Sequence, residues 1–536
     1  MNIEIPRLNF LWAYLYHWAE ATPDGIALHE NGKSMTYAGL ELRVNHLAGE
    51  LLLLGLEKGD RVVTILPSVS EYLVIYLAVS QLGGIITPLD VRYKATDLER
   101  FLNQSAPKVV FAWAKTKDNP IWEHLARIEH QNPVRFFFIG DAGFGDPYIH
   151  LMAGNGQPGL DAAIRARRKE LTEEDSNLIV FTGGTTGQPK GALLSHRNVV
   201  AMAYHEEAFL RKELRRAGFK GRISTLAALP PSHVGGTIEC IGLGLLGGHE
   251  LYFLEHWKPE VVLKLSAAAK IPWLGGVPTM YAMMLSLSGL EHYDRSGFYL
   301  ALLSGERVTL ELITGIQKRL CPRIINGYGS TEAGAELTFT LPEDAPEKLA
   351  EGYVGFPLPQ VFIKILGTDN KVLSIGQTGE VVVKSDFTIR QYFRMPEEDK
   401  AGFTEDGFCR TGDLGYLTGE GALYLKGRKK QVIRVGSYTV MPTEVEELAL
   451  QIPEVAIAAA LGAPHAILGE EVWLFVVAHT GETLREEAIL AFIKNSLADY
   501  KVPRRVVVRE SIPVTRIGKA DRNSLIKEME EAGWTL

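Results

Sequence analysis

The run Phe181-Thr182-Gly183-Gly184-Thr185-Thr186-Gly187-Gln188-Pro189-Lys190-Gly191 gathers in one short stretch the groups that can hold a polyphosphate. Its glycines let the backbone turn with N–H groups pointing inward. The hydroxyls of Thr182, Thr185 and Thr186 add donors and can supply a Mg²⁺ contact, and Lys190 adds a positive charge. The apolar Leu178-Ile179-Val180-Phe181 ahead of it reads as a buried strand delivering the loop. A Walker A loop is excluded, because Lys190 follows Pro189 and precedes Gly191 where that motif needs Gly-Lys-Ser/Thr. A polar surface turn is the bland alternative for this segment taken alone.

Three further clusters lie downstream: Asn326-Gly327-Tyr328-Gly329-Ser330-Thr331-Glu332, Arg410-Thr411-Gly412-Asp413 and Gly427-Arg428-Lys429-Lys430. The glycines beside Tyr328 leave its ring faces open to a planar partner, which favours stacking over a core role. Thr331 and Glu332 offer hard oxygen ligands suited to Mg²⁺ on a polyphosphate. Asp413 can accept two sugar hydroxyls and Arg428 can donate to the same sugar, with a helix cap or a surface ion pair as the alternative for each.

These chemical groups need a scaffold, and the sequence indicates one. Leu40, Val44, Leu47, Leu51 and Leu54 mark an amphipathic helix closed by Gly55. Strand-like Val62–Leu66, a helical stretch from Tyr72 and strand-like Ile85–Pro88 follow, the alternation of parallel β-α-β units with helices on both faces of a sheet. From about Gly352 the pattern changes to short strands such as Val361–Leu366 and Gly379–Lys384, a small β-rich subdomain. After the charged turn at Gly427 comes a self-contained pattern: strand Val432–Val435, a helix from Pro442 and strand Val455–Leu461. The expectation is an α/β fold with a large N-terminal domain, 1–426, and a smaller α+β C-terminal domain, 427–536.

At 536 residues the chain is too long for one ordinary core. With 46% hydrophobic and 22% charged residues it has a soluble globular composition. Its net charge of −8 gives no global attraction to nucleic acid or anionic membrane, so any anion must be captured locally. Cys240, Cys321 and Cys409 are too scattered for a disulfide framework or a metal site, which fits a reducing cytoplasm. Phe10, Leu11, Tyr14, Leu15 and Trp18 form the face of a docked surface helix rather than a signal peptide. The apolar stretch Ile238–Trp257 is interrupted by Glu239, His249, Glu250 and Glu255, so no membrane span is expected. Gly242-Leu243-Gly244-Leu245-Leu246-Gly247 matches the dinucleotide fingerprint, but no clear strand precedes it, and helix packing explains its glycines better.

In order and spacing, the four clusters together with Leu194-Ser195-His196-Arg197-Asn198, Val277-Pro278-Thr279 and Ile512-Pro513-Val514-Thr515-Arg516-Ile517-Gly518-Lys519 resemble the adenylate-forming superfamily. That superfamily comprises acyl- and aryl-CoA synthetases, beetle luciferases and the adenylation domains of nonribosomal peptide synthetases, and the resemblance covers nearly the whole chain. It implies that Thr182, Gly183, Gly184, Thr185, Thr186, Gly187, Gly305, Glu306, Asn326, Gly327, Tyr328, Gly329 and Thr331 hold ATP or AMP. It further implies metal contact by Thr185 and Glu332, ribose contact by Asp413 and Arg428, catalysis by Lys190, His233, Glu332 and Lys519, and a hinge at Lys430 about which the C-terminal domain turns. His233, Val234, Gly235 and Gly305 would line the acyl pocket.

Val234 stands where domains for α-amino acids place Asp and where ligases for ortho-hydroxylated benzoates place Asn, so the pocket is expected to take an apolar acyl group. Two departures from the family pattern are Ser304-Gly305-Glu306-Arg307-Val308, in place of Ser-Gly-Gly-Ala-Pro, and Gly183 in place of the usual serine. The first puts side chains near the adenine and acyl walls. The resemblance implies an acid–CoA ligase using ATP, Mg²⁺ and coenzyme A, with small-molecule partners only and a homodimer left open. A carrier-protein loading enzyme and a nucleotide sensor without turnover are the alternatives.

Overall fold

The computed structural model describes residues 5–117, 119–129, 133–153, 159–182, 189–429, 432–435, 438–465, 469–494, 497, 499–514 and 520–531. Gly183, Gly184, Thr185, Thr186, Gly187, Lys430 and Lys519 lie outside them. The chain divides into two units, one of residues 1–363 and 383–411, the other of 364–382 and 412–536.

The first unit is built on a seven-stranded sheet in the order Asp146–Pro147, Arg135–Ile139, Val109–Trp113, Arg61–Ile65, Ile85–Pro88, Ser176–Thr182, Lys190–Ser195. Every pairing is parallel until the last, where Ser176–Thr182 runs antiparallel to Lys190–Ser195 and Thr182 faces Lys190. The expected β-α-β alternation is present: helices Tyr37–Leu53 and Ser70–Ser80 flank the strands at 61–65 and 85–88. Helix Tyr37–Leu53 starts at Thr36, whose hydroxyl accepts from Gly39 N, and buries Leu40, Val44, Leu47 and Leu51. Gly55 follows it with φ +76°, the left-handed turn that glycine permits without strain.

A second, five-stranded sheet orders Trp273–Gly276, Leu300–Leu303, Ile324–Ser330, Ala335–Phe339 and Phe356–Pro357. Its first three strands are parallel and the rest antiparallel. A four-stranded sheet orders Glu250–Phe253 between Ser224–Ala227 and Ile26–Glu30, with Lys33–Thr36 at the edge. Gly242–Gly247 is packed helix, as expected: a Cβ at Gly244 would stand 2.4 Å from Leu251.

The second unit takes in the greater part of the β-rich sheet, where Cys409–Leu417 pairs antiparallel with Leu423–Arg428. It also holds a sheet in which Gly469–Ala478 lies between Val455–His465 and the parallel Arg505–Arg509. Helices Pro442–Ala449 and Glu486–Lys494 cover one side through Val445, Ala449, Ile489 and Ile493, all buried.

No helix among the described residues is long and apolar enough to cross a membrane. All three cysteines are buried and unpaired. Burial pushes the Cys321 thiol up to about 11 and those of Cys240 and Cys409 further.

The N-terminal helix Leu11–Ala21 is docked, with Leu11, Tyr14, Leu15, Trp18 and Ala19 buried and Trp18 Nε1 donating to the Leu245 carbonyl at 2.9 Å. Leu15 is fully buried. Leu15→Ala is expected to destabilise the first unit by about 2–5 kcal/mol, the usual span for a buried Leu truncation. Urea unfolding followed by tryptophan fluorescence measures it, and a change within experimental scatter would mean the helix contributes no packing.

Candidate active site

The end of strand Ser176–Thr182 and the turn after strand Ile324–Ser330 come together on one carboxylate. Glu332 Oε1 accepts from Thr182 Oγ1 at 3.0 Å and from the Tyr392 hydroxyl at 3.4 Å. The Glu332 carbonyl also accepts from Ile389 N at 3.0 Å, so the segment carrying Tyr392 is tied to the same turn. Burial, followed by the Glu332 carboxylate, pushes the Tyr392 phenol well above its ordinary value, which keeps it a proton donor to Glu332. Lys190 Nζ lies 5.2 Å from the centre of the Tyr392 ring and pairs with Glu398. Thr182, Lys190 and Glu332, named on sequence grounds, therefore surround Tyr392. A carboxylate with a neighbouring hydroxyl suits Mg²⁺, which keeps water and phosphate oxygens in most of its coordination positions. No larger His/Cys/Asp/Glu set able to hold a metal occurs among the described residues.

Asn326, Gly327, Tyr328 and Gly329 are not a loop but the strand Ile324–Ser330 itself. Gly329 is opposite Glu336, and a Cβ there would meet the Ala335 carbonyl oxygen at 1.7 Å, so only glycine allows this pairing. Tyr328 is 7% exposed, more enclosed than the open ring the flanking glycines suggested. Asn326 is buried with Oδ1 lacking a hydrogen-bond partner. Thr331 is half-buried.

Gly305 has φ +83°, turning the chain so that Glu306 Oε2 accepts from Thr279 Oγ1 at 3.4 Å. This links two segments picked out separately in the sequence. Arg307 instead donates to the Ala350 carbonyl, at 3.1 Å from Nε and 2.7 Å from Nη2.

His233 precedes a π-helical stretch, Gly235–Gly242, a geometry frequent at functional sites. Its side chain reaches the surface, yet desolvation holds the imidazole below its ordinary value, with the Asp90 carboxylate opposing. Val234 and Gly235 are half-buried. In the second unit, Arg428 Nε donates to Asp413 Oδ1 at 2.9 Å across paired strands, and Asp413 is 6% exposed.

Nothing in the sequence singled out Tyr392 or Glu398: Tyr392 belongs to no motif, and Glu398 sits in the acidic run Glu397-Glu398-Asp399, which reads as the first turn of a solvated helix. A carboxyl trio, the buried Glu206 and Glu336 with the partly exposed Glu239, was also missed; Glu239 was noticed only as a charge interrupting an apolar stretch. Burial raises all three, and repulsion from neighbouring carboxyls adds to it at Glu206 and Glu336: Glu239 is pushed up to about 7, Glu206 and Glu336 well above their ordinary value. In the folded chain these groups bind protons that the unfolded chain has released, so their contribution to stability is full below the ordinary carboxyl value and is lost as pH rises towards about 7 at Glu239. Glu239→Gln is accordingly expected to flatten the fall in melting temperature between pH 5 and 8. Thermal melts across that range measure it, and parallel wild-type and variant curves would show that Glu239 does not titrate there.

Comparison with known proteins accords with this geometry. The AMP-binding enzyme family model matches residues 15–393, and the AMP-binding enzyme C-terminal domain model matches 444–519. A long-chain-fatty-acid–CoA ligase of Bacillus subtilis is 28% identical, covering 98% of this chain and 96% of the relative. One from Escherichia coli O6:H1 is 30% identical, covering 93% and 90%. The ATP-bound crystal structure of MatB from Rhodopseudomonas palustris superimposes with a TM-score of 0.82 at 27% identity, covering 98% of this chain and all of that one. An amide bond synthetase, McbA from Marinactinospora thermotolerans, gives 0.83 at 25% identity, covering 97% and 99%. The chain belongs to the AMP-binding, adenylate-forming enzyme family.

Proposed function

We propose that the protein is an acid–CoA ligase: it joins a carboxylic acid to ATP as acyl-AMP and passes the acyl group to the thiol of coenzyme A. The observation that carries this is the Glu332 carboxylate held against Thr182 with Lys190 nearby, Thr182 and Lys190 being the two residues that flank the glycine- and threonine-rich run in sequence. The fatty-acid–CoA ligases to which the chain is similar along nearly its full length support the choice of reaction.

A carboxylate is a poor acyl donor because its leaving group would be oxide. In the proposed first step a carboxylate oxygen attacks the α-phosphorus of ATP, a new P–O bond forms, and the bond to the β-phosphate breaks to release pyrophosphate. Mg²⁺, held through Glu332 and Thr185, would supply charge neutralisation on the phosphates. Lys190 would leave Glu398 for the departing pyrophosphate. Lys519, by resemblance, would contact the carboxylate and α-phosphate oxygens where charge accumulates. His233 would lie beside the carboxylate being activated. Thiol attack on the mixed anhydride then expels AMP; the resemblance places this step after a turn of the C-terminal domain about Lys430, with the domain boundary at 426/427.

Tyr328 would stack on adenine, with Gly305 and Glu306 beside it. Asp413 and Arg428 would take the ribose. At the carbon next to the carboxylate Val234 offers no charge or hydrogen bond, so an α-ammonium would be buried unpaired at a cost of several kcal/mol.

Asp413→Ala is expected to raise the KM for ATP, since charge-assisted bonds to ribose are worth about 1.5–3 kcal/mol each. Steady-state kinetics measure this, and an unchanged KM removes Asp413 from the nucleotide site.

The reaction itself is tested by acid-dependent pyrophosphate exchange, followed by thioester formation once CoA is added. α-Amino acids are expected to support neither. Lys519→Ala should slow acyl-AMP formation by about 10²–10³-fold, the usual loss for one transition-state charge contact, while thioester formation from supplied acyl-AMP and CoA survives. Equal loss in both halves would overturn the two-orientation scheme.

A further inference from the structure

The helix that follows His233 presents one accessible face. Val234, Gly235 and Glu239 keep solvent-accessible surface, whereas Gly236, Thr237, Ile238 and Cys240 are buried. Hydrogen bonding from i to i+5 brings residues four and five apart onto one side of a π-helix. A Cβ at Gly235 would stand 3.3 Å from Glu239 Oε2, which places both on that face. Glu239 is partly exposed along that face, and burial of its carboxyl raises it above the ordinary value. The accessible face of this segment therefore runs from His233 and Val234 past Gly235 to Glu239.

Two more carboxyls converge on Glu239. Glu206, from helix His196–Arg216, is 1% exposed; Glu336, from strand Ala335–Phe339, is 3% exposed. Glu206 Oε2 and Glu336 Oε2 have no hydrogen-bond partner. The Ser304 hydroxyl donates to Glu336 Oε1, fixing that side chain next to Gly305. Gly327 leaves room for it, since a Cβ there would stand 2.8 Å from Glu336 Oε2. The charged groups that act on Glu206 are Glu239 and Glu336, and Glu239 acts on Glu336; among the described residues no lysine or arginine bears on any of the three. Buried carboxyl oxygens without partners are destabilising, and an apolar or amide residue would fill the same space at lower cost. Two such oxygens, on elements that pack against each other and against the segment carrying Glu239, call for a hydrogen-bonding partner that the described residues do not supply.

We propose that Glu206, Glu239 and Glu336 receive a cationic nitrogen, so that the ligase's substrate is a carboxylic acid carrying a protonated amine remote from its carboxylate. This deepens the ligase reading and rests on it. The carboxylate lies at the His233 end, the methylene carbons pass Val234 and Gly235, and the ammonium reaches the carboxyls. One ionised carboxylate balances the ammonium, and the other two, still protonated, accept and donate hydrogen bonds around it. The expectation of an apolar acyl group then holds for the part of the acid next to its carboxylate and fails at its far end. α-Amino acids remain excluded, because their nitrogen would face Val234.

The test is pyrophosphate exchange with a series of ω-amino acids from 4-aminobutanoate to 8-aminooctanoate. Each is paired with the alkanoic acid in which a methyl replaces the amine and with the ω-hydroxy acid of the same length. At the best length the amino acid is expected to exceed its alkanoic partner in kcat/KM by tenfold or more. Glu239→Gln and Glu336→Gln should each bring that ratio close to one, with binding of a fluorescent ATP analogue reporting that the variants are folded. Alkanoic or hydroxy acids that match or exceed every amino acid overturn the substrate class and leave the ligase reading standing. A ratio unchanged in both variants overturns the role of the carboxyls. Exchange with no acid of any kind overturns the ligase reading and the substrate class together.

Discussion

Glu332 binds together segments that are far apart in sequence: the end of a strand in the seven-stranded sheet through Thr182, the turn after the strand carrying Tyr328, and the segment of Tyr392 through both a side-chain and a backbone bond. The same segment is fastened on its far side, where Phe393 N donates to the Gly191 carbonyl at 2.7 Å. The separation between the loop's flanking residues and the strand holding Tyr328 is therefore set by hydrogen bonds to one side chain and its own carbonyl. Of these the bond from Thr182 to the carboxylate, at 3.0 Å, is the shorter of the two to the charged acceptor. A site that must hold reacting groups within fractions of an ångström needs such a joint.

Lys190 shows the other side of this arrangement. Paired with Glu398 and lying over the Tyr392 ring, its ammonium is compensated before any anion arrives. A triphosphate must compete with that carboxylate, so the net gain from the lysine is a difference between two ion pairs rather than one whole interaction. Tyr392 serves both partners, with its ring to the cation and its hydroxyl to Glu332.

Much of this was legible in the residues. The parallel alternation, the docked N-terminal helix and the breaks at Gly55 and near Gly352 followed from apolar periodicity and turn chemistry, which act locally. The pairing of Asp413 with Arg428 was visible as two candidate ribose contacts, though not as neighbours on paired strands. Residues 326–329 were harder to read. Their glycines suggested an open ring, whereas the strand needs Gly329 because the Ala335 backbone leaves no room for a Cβ. The carboxyl trio could not be read at all, since Glu206, Glu239 and Glu336 are separated by long stretches of chain and meet only through tertiary packing.

The three buried cysteines have a practical consequence. A thiol reacts as its thiolate, and each of these is both shielded and held protonated well above neutral pH. Maleimide and nitroxide reagents would pass them by. A cysteine introduced at an exposed position in each unit would then be the pair that takes a fluorophore or spin label, so distances between the units could be followed through a catalytic cycle with every native cysteine left in place.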